Sequence, residues 1–156
     1  MDSYDIKIDK EGLWYYKGNH MFRKEILRIF FEHLKVDENG RYLIELGTES
    51  CYLDVEDTAF VVQAVYKTCN TRDGREQLEI VLNDEFSEIL DLHSLYIGKD
   101  NVLYCRVKQG RFVARFTRKG YYQIAEFIEQ TNNGNGFFIA LNGEKYFINE
   151  TQISEA

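Results

Sequence analysis

Two alternating segments, residues 102–108 and 111–117, flank Gln109-Gly110 and restrict the fold more than anything else in the chain. Side chains on a strand alternate between its faces, and a short turn leaves few ways to pair two strands. Pairing Lys108 with Arg111 puts Leu103, Cys105, Val107, Phe112, Ala114 and Phe116 on one face, with no polar side chain among them. A slip of one residue would turn that apolar set toward water, so the pattern selects an antiparallel hairpin with one buried face. The other face then carries Tyr104, Arg106, Lys108, Arg111, Val113 and Arg115, with Tyr104 across from Arg115 in position for a cation–aromatic contact.

This outward face belongs to an acid-free stretch, residues 101–125, that holds Arg106, Lys108, Arg111, Arg115, Arg118 and Lys119 in a chain of net charge −7. Local potential follows nearby charges more than the total, so an acidic protein can still hold an anion there. Arg106, Arg111 and Arg115 offer forked donors suited to phosphate or carboxylate, and Tyr104 and Tyr121 offer rings for stacking. Lys108 opposite Arg111 is a like-charge pair, which calls for an anion or a carboxylate between the two. A purely structural reading stands beside this one, with the cations solvated or neutralised by acidic residues from elsewhere in the chain. The acidic balance disfavours duplex nucleic acid, whose binding needs a broad positive footprint, and one hairpin is a small platform for a single strand.

The remaining elements follow from periodicity and turn residues. Ile26, Leu27, Phe30, Phe31 and Leu34 recur at helical spacing and predict an amphipathic helix over residues 23–35, stopped by Asp37-Glu38-Asn39-Gly40. Strands are expected over 41–46 and 51–55, then over 60–71 and 76–82 about Asp73-Gly74, where a two-residue turn would pair Cys69 with Leu78 and Val65 with Leu82. A second helix is expected over about 119–130, burying Tyr122, Ile124, Ala125, Phe127 and Ile128 in varying degree. It ends in the Gly-rich run 132–136, and a hairpin about Asn142-Gly143 follows. In residues 13–16, alternation places Trp14 and Tyr16 on one face and Leu13 and Tyr15 on the other.

The sum is an α+β protein of mostly antiparallel sheets and two amphipathic helices, forming two small sheet-rich subdomains. The Asn83-Asp84-Glu85 break divides them into residues 1–83 and 84–156. Each half reads strand, helix, Gly-rich turn and hairpin (residues 12–55 and 110–148), a plan that fits either a duplication or an ordinary α+β chain.

Other chemistry is sparse. No nucleophile elbow, phosphate-binding loop or His-Glu-x-x-His helix is present, and Gly134-Asn135-Gly136 follows a helix and lacks the third glycine of a dinucleotide fingerprint. Cys51, Cys69 and Cys105 are odd in number, widely spaced, and expected as reduced core residues. His20, His33 and His93 are dispersed, so no metal site is expected. Met1-Asp2-Ser3-Tyr4-Asp5 lacks the basic and apolar regions of a signal peptide, and no apolar run is long enough to span a membrane, giving a cytoplasmic expectation with no membrane partner. Glu56-Asp57 offer paired carboxylates for acid–base work or a divalent cation. Arg23 at a helix start is poorly placed for a cation, which makes a carboxylate partner such as Glu56 or Asp57 plausible.

The run Ile8-Asp9-x-x-Gly12-x-Trp14-Tyr15-Tyr16-x-Gly18, Arg23 leading into an aromatic-rich helix, and Val55-Glu56-Asp57-Thr58-Ala59-Phe60 resemble the bacterial domain of unknown function 1285 family. Tyr104-x-Arg106-Val107, Gly110 and Arg118-x-x-Tyr121-Tyr122 extend the resemblance along the chain. The chain departs from the family's prolines before the first-helix Arg and at Thr58-Ala59. The resemblance implies a compact α+β protein of two small sheet-rich subdomains; it brings no activity, substrate, cofactor or catalytic residue. Taken together, the residues favour a non-catalytic binding module for a small anionic ligand or an acidic protein partner on the Arg106, Arg111 and Arg115 face. The alternatives are a metal-assisted enzyme using Glu56 and Asp57, with Arg23 orienting a substrate, and a homodimerising structural protein.

Overall fold

The computed structural model describes residues 4–150, which form two compact units meeting in sequence at Phe60 and Val61. Unit one contains β1 (Ile6–Ile8), β2 (Trp14–Tyr16), β3 (Asn19–His20), α1 (Lys24–Glu32), β4 (Leu34–Val36), β5 (Tyr42–Leu46), β6 (Glu49–Tyr52) and β7 (Asp54–Val55). A four-stranded sheet has the order β3-β2-β1-β7, in which β1 and β7 are parallel, and an antiparallel meander has the order β4-β5-β6. Ile6, Ile8, Trp14, Phe31, Leu34, Leu43, Ile44 and Phe60 form its core. Trp14 packs edge-on to Phe31 at 5.0 Å, and Phe31 lies 5.2 Å from Phe60, so an aromatic cluster anchors α1 by one face. Alternation separates Trp14, at 2% exposure, from exposed Leu13, but Tyr16, the last residue of β2, is exposed.

Unit two continues with β8 (Phe60–Cys69), β9 (Glu76–Leu82), β10 (Ser87–Ile89), β11 (Tyr96–Ile97), β12 (Leu103–Val107), β13 (Phe112–Phe116), α2 (Arg118–Ala125), β14 (Ile128–Gln130), β15 (Phe137–Leu141), β16 (Glu144–Phe147) and β17 (Asn149–Glu150). Its seven-stranded sheet runs β10-β9-β8-β13-β12-β11-β17, and a meander runs β14-β15-β16. The polar run Asn83-Asp84-Glu85 lies inside this unit, between β9 and β10. Thr117 caps α2, its Oγ1 accepting from the Gly120 N–H at 3.1 Å, and Gly120 lies so close to β8 that a Cβ there would stand 2.5 Å from the Val62 carbonyl oxygen.

The architecture is α+β, as the sequence indicates, and the β12–β13 register is the one expected, Tyr104 facing Arg115 and Val107 facing Phe112. All six residues assigned to its inner face are buried. Asn142 and Gly143 both take positive φ, the geometry of the tight turn expected between β15 and β16.

Several local expectations are corrected. Both helices are shorter than their apolar spacing implies: α1 stops at Glu32 and α2 at Ala125, each followed by a three-residue strand that opens a meander. At α1 the His33 ring bonds the Ile29 carbonyl at 2.8 Å as the chain leaves helical geometry. Tyr122 is exposed rather than buried. The β8–β9 connection is longer than two residues because Asn70 N–H bonds the Arg75 carbonyl and Gly74 N–H bonds the Asn70 carbonyl. Cys69 therefore faces Glu76 and Val65 faces Ile80, and a bulge between Val62 and Ala64 brings Val62 opposite Leu82. Only Cys105 is a core thiol, with burial pushing its pKa up; Cys51 within β6 and Cys69 at the end of β8 are exposed.

Candidate functional site

On the β12–β13 hairpin, each cation of the turn region has a partner from its own unit. Lys108 Nζ contacts Asp84 Oδ2 at 2.6 Å, and the Asp84 side chain is only 5% exposed. The Lys108 N–H donates to both oxygens of Glu88 at 3.2 and 3.3 Å. These carboxylates answer the like-charge pairing of Lys108 and Arg111. The Arg106 guanidinium donates to the Gly110 carbonyl at 3.2 Å, and Arg111 Nε donates to the Lys108 carbonyl at 3.1 Å. Lys108, Gln109 and Gly110 all have positive φ, so these bonds fasten a turn that side chains otherwise resist. Tyr104 stacks on Tyr96 at 5.2 Å and 16° and covers Gly98, where a Cβ would approach its ring to 2.8 Å. Arg115 is half-buried opposite Tyr104. Tyr121 is on α2 and lines a separate cavity of unit two.

In unit one, Glu56 Oε1 accepts the Lys10 N–H at 3.0 Å, while the Glu56 N–H extends the β1–β7 pairing to the Ile8 carbonyl. Asp57 is half-buried, and Thr58, itself buried, donates to the Phe60 carbonyl at 2.7 Å. Arg23 pairs with Glu25 at 3.5 Å, not with Glu56 or Asp57. No three His, Cys, Asp or Glu side chains converge as a metal-binding set among the described residues.

Arg23 instead belongs to a cavity of about 430 Å³. Ile6 of β1, Tyr16 of β2, Met21 and Phe22 of the connection, and Ile26 and Phe30 of α1 give it an apolar lining; Asn19, His20 and Arg23 are its polar members. Arg23, Ile26 and Phe30 stand at i, i+3 and i+7, one face of the helix start, and the β2–β3 hairpin closes the other side. Phe22 is 73% exposed and Ile26 38%, so apolar surface continues past the cavity's mouth.

Arg23 is the N-cap of α1, in extended geometry, and makes no side-chain capping bond. Ser, Thr, Asp and Asn are favoured there because they accept from the free N–H groups, whereas a cation meets the positive end of the helix dipole. The Glu25 carboxylate is held below its usual range, first by its own backbone N–H and then, against partial desolvation, by the charge and hydrogen bond of Arg23. A carboxylate is thus stabilised at the first turn of α1, beside the cavity. The sequence flags the misplaced cation; the cavity is not legible, because three separate segments build it.

The fold and these features define a small two-unit α+β protein with an apolar cavity and a basic hairpin. Residues 1–58 match the N-terminal domain of the DUF1285 family, a domain of unknown function. A DUF1285 family protein from Silicibacter pomeroyi DSS-3 shares the fold with a TM-score of 0.75 at 21% identity, over 99% of this chain and 84% of that one. One from Shewanella baltica OS155 does so with a TM-score of 0.64 at 16% identity, over 79% of this chain and 91% of its own. No curated protein matches the chain. The family match thus covers the N-terminal 58 residues, and the likeness over the rest of the chain is one of fold. No helix among the described residues is long and apolar enough to cross a membrane.

Proposed function

We propose that the chain is a non-catalytic binding module for a small amphipathic anion, an organic carboxylate or phosphate with an apolar body, held in the unit-one cavity. One observation carries this reading: Arg23 occupies a helix start where a cation costs stability, at a mainly apolar cavity. The cavity is within the usual size range of small-molecule sites, about 300–1,000 Å³. The ligand's apolar body packs on Tyr16, Phe22 and Phe30, and its anionic group replaces Glu25 beside the Arg23 guanidinium. The basic hairpin is the weaker candidate, because Arg106, Lys108 and Arg111 already bond groups of their own unit.

Calorimetric titration with octanoate and decanoate, with the matching primary amides as uncharged controls, tests the proposal. The carboxylates bind and the amides bind at least about tenfold more weakly, as loss of a charge-assisted contact requires. Arg23→Ala removes the difference between acid and amide, Glu25→Gln tightens carboxylate binding, and Arg115→Ala changes neither. Equal affinity for acid and amide, or an effect confined to Arg115→Ala, contradicts it.

A further inference from the structure

Unit two holds a second cavity, of about 530 Å³, with a different chemistry. Among the described residues no charged side chain lines it, in a chain whose residues are 29% charged, so its neutrality sets it apart from the general surface. Tyr121 of α2 and Phe137 of β15 contribute rings that are 43% and 38% exposed, large apolar surfaces left open to solvent. Two primary amides, Asn101 and Gln130, complete the lining. The Gln130 Nε2 donates to the Gly134 carbonyl at 3.1 Å, which leaves the Gln130 side-chain oxygen as an acceptor.

Asn101 is fixed by its backbone. The Gly98 N–H bonds the Val102 carbonyl at 2.7 Å and the Asn101 N–H bonds the Gly98 carbonyl at 3.2 Å. Asp100 and Asn101 both have φ of 61°, a region Asn and Asp tolerate better than other side chains. The turn therefore presents an amide, with both a donor and an acceptor, from a tightly bonded loop. Unlike the unit-one cavity, this one has no cation among its described lining residues to pair with an anion.

We propose that this cavity binds an uncharged planar nitrogen heterocycle with adjacent hydrogen-bond donors and acceptors, the chemistry of a free nucleobase or nucleoside. The ring lies against Tyr121 and Phe137, and its edge pairs with Asn101 and the Gln130 oxygen. The assignment uses unit two alone and is independent of the anion site.

Adenosine and uridine are titrated into the full chain by calorimetry, with adenosine monophosphate as the charged comparator, while proton–nitrogen correlation spectra locate the site. At least one nucleoside binds and shifts the Gln130 side-chain resonance, and a saturating amount of decanoate leaves that binding unchanged. Tyr121→Ala weakens it about fivefold or more, the lower range for loss of a base–aromatic stack. Asn101→Gly, which accommodates the positive φ, weakens it severalfold while the melting temperature holds. Absence of binding by both nucleosides at millimolar concentration overturns the proposal. So does binding indifferent to Tyr121→Ala, or tighter binding of the monophosphate that decanoate displaces.

Discussion

The two units repeat one order of elements but start its helix differently. In unit one the β2–β3 hairpin leads into the nine-residue α1 and the β4-β5-β6 meander; in unit two the β12–β13 hairpin leads into the eight-residue α2 and the β14-β15-β16 meander. The second helix starts as stability dictates. Thr117 caps it, its hydroxyl also donates to the Val62 carbonyl at 3.0 Å, and Gly120 lets helix and strand backbones approach closely. The first helix starts with an uncapped arginine and exposed Phe22 and Ile26, and is held by the aromatic contacts of its buried face. The same plan thus yields one helix start spent on packing and another left open around a cavity. An element that forgoes an available cap marks where to look for a ligand.

The largest expected effect tests the aromatic anchor. Trp14→Ala lowers stability by about 3–5 kcal/mol in chemical denaturation, as loss of a buried large aromatic does. A cost below about 1 kcal/mol would remove the basis for the unit-one half of the contrast. In unit two, Gly120→Ala forces a methyl against the Val62 carbonyl and costs about 1–3 kcal/mol, despite the better helix propensity of alanine. A neutral or stabilising result would show that the helix–strand approach is not close. Thr117→Ala costs about 1–2 kcal/mol through loss of the cap and the Val62 bond. Thiol accessibility separates surface from core with no change in stability: in the native protein a neutral-pH thiol reagent modifies Cys51 and Cys69, and Cys105 reacts only after denaturation. Burial raises the Cys105 pKa, so mildly alkaline pH does not open it to the reagent.

Much of the fold was legible because alternation and turn chemistry agree. The β12–β13 register follows from six apolar residues that share a face in one pairing, and the β15–β16 turn from Asn142-Gly143. Elements were misjudged where these signals conflict or run short. β4 and β14 each follow a helix and place an apolar residue, Leu34 or Ile128, where helical spacing also puts one; three residues are too few for alternation to show. The β8–β9 register depends on backbone bonds about Asn70, which the Asp73-Gly74 signal hides. Of the site, the misplaced charge of Arg23 was visible. Its apolar surroundings were not, since they combine residues from Ile6 to Phe30 across three segments. Nor were the partners of the basic hairpin, Asp84 and Glu88, which lie 24 and 20 residues before Lys108.

Arg23→Ser tests the central claim, that a cap was forgone for a ligand, most directly. Serine supplies the N-cap acceptor that α1 lacks, and the melting temperature is measured for wild type and variant with and without decanoate. The expected result is a variant more stable by about 0.5–1 kcal/mol that no longer gains stability from decanoate, while the wild type does. A variant less stable than wild type, or one that decanoate stabilises equally, would mean that Arg23 supports the fold and that the cavity holds its ligand, if any, without it.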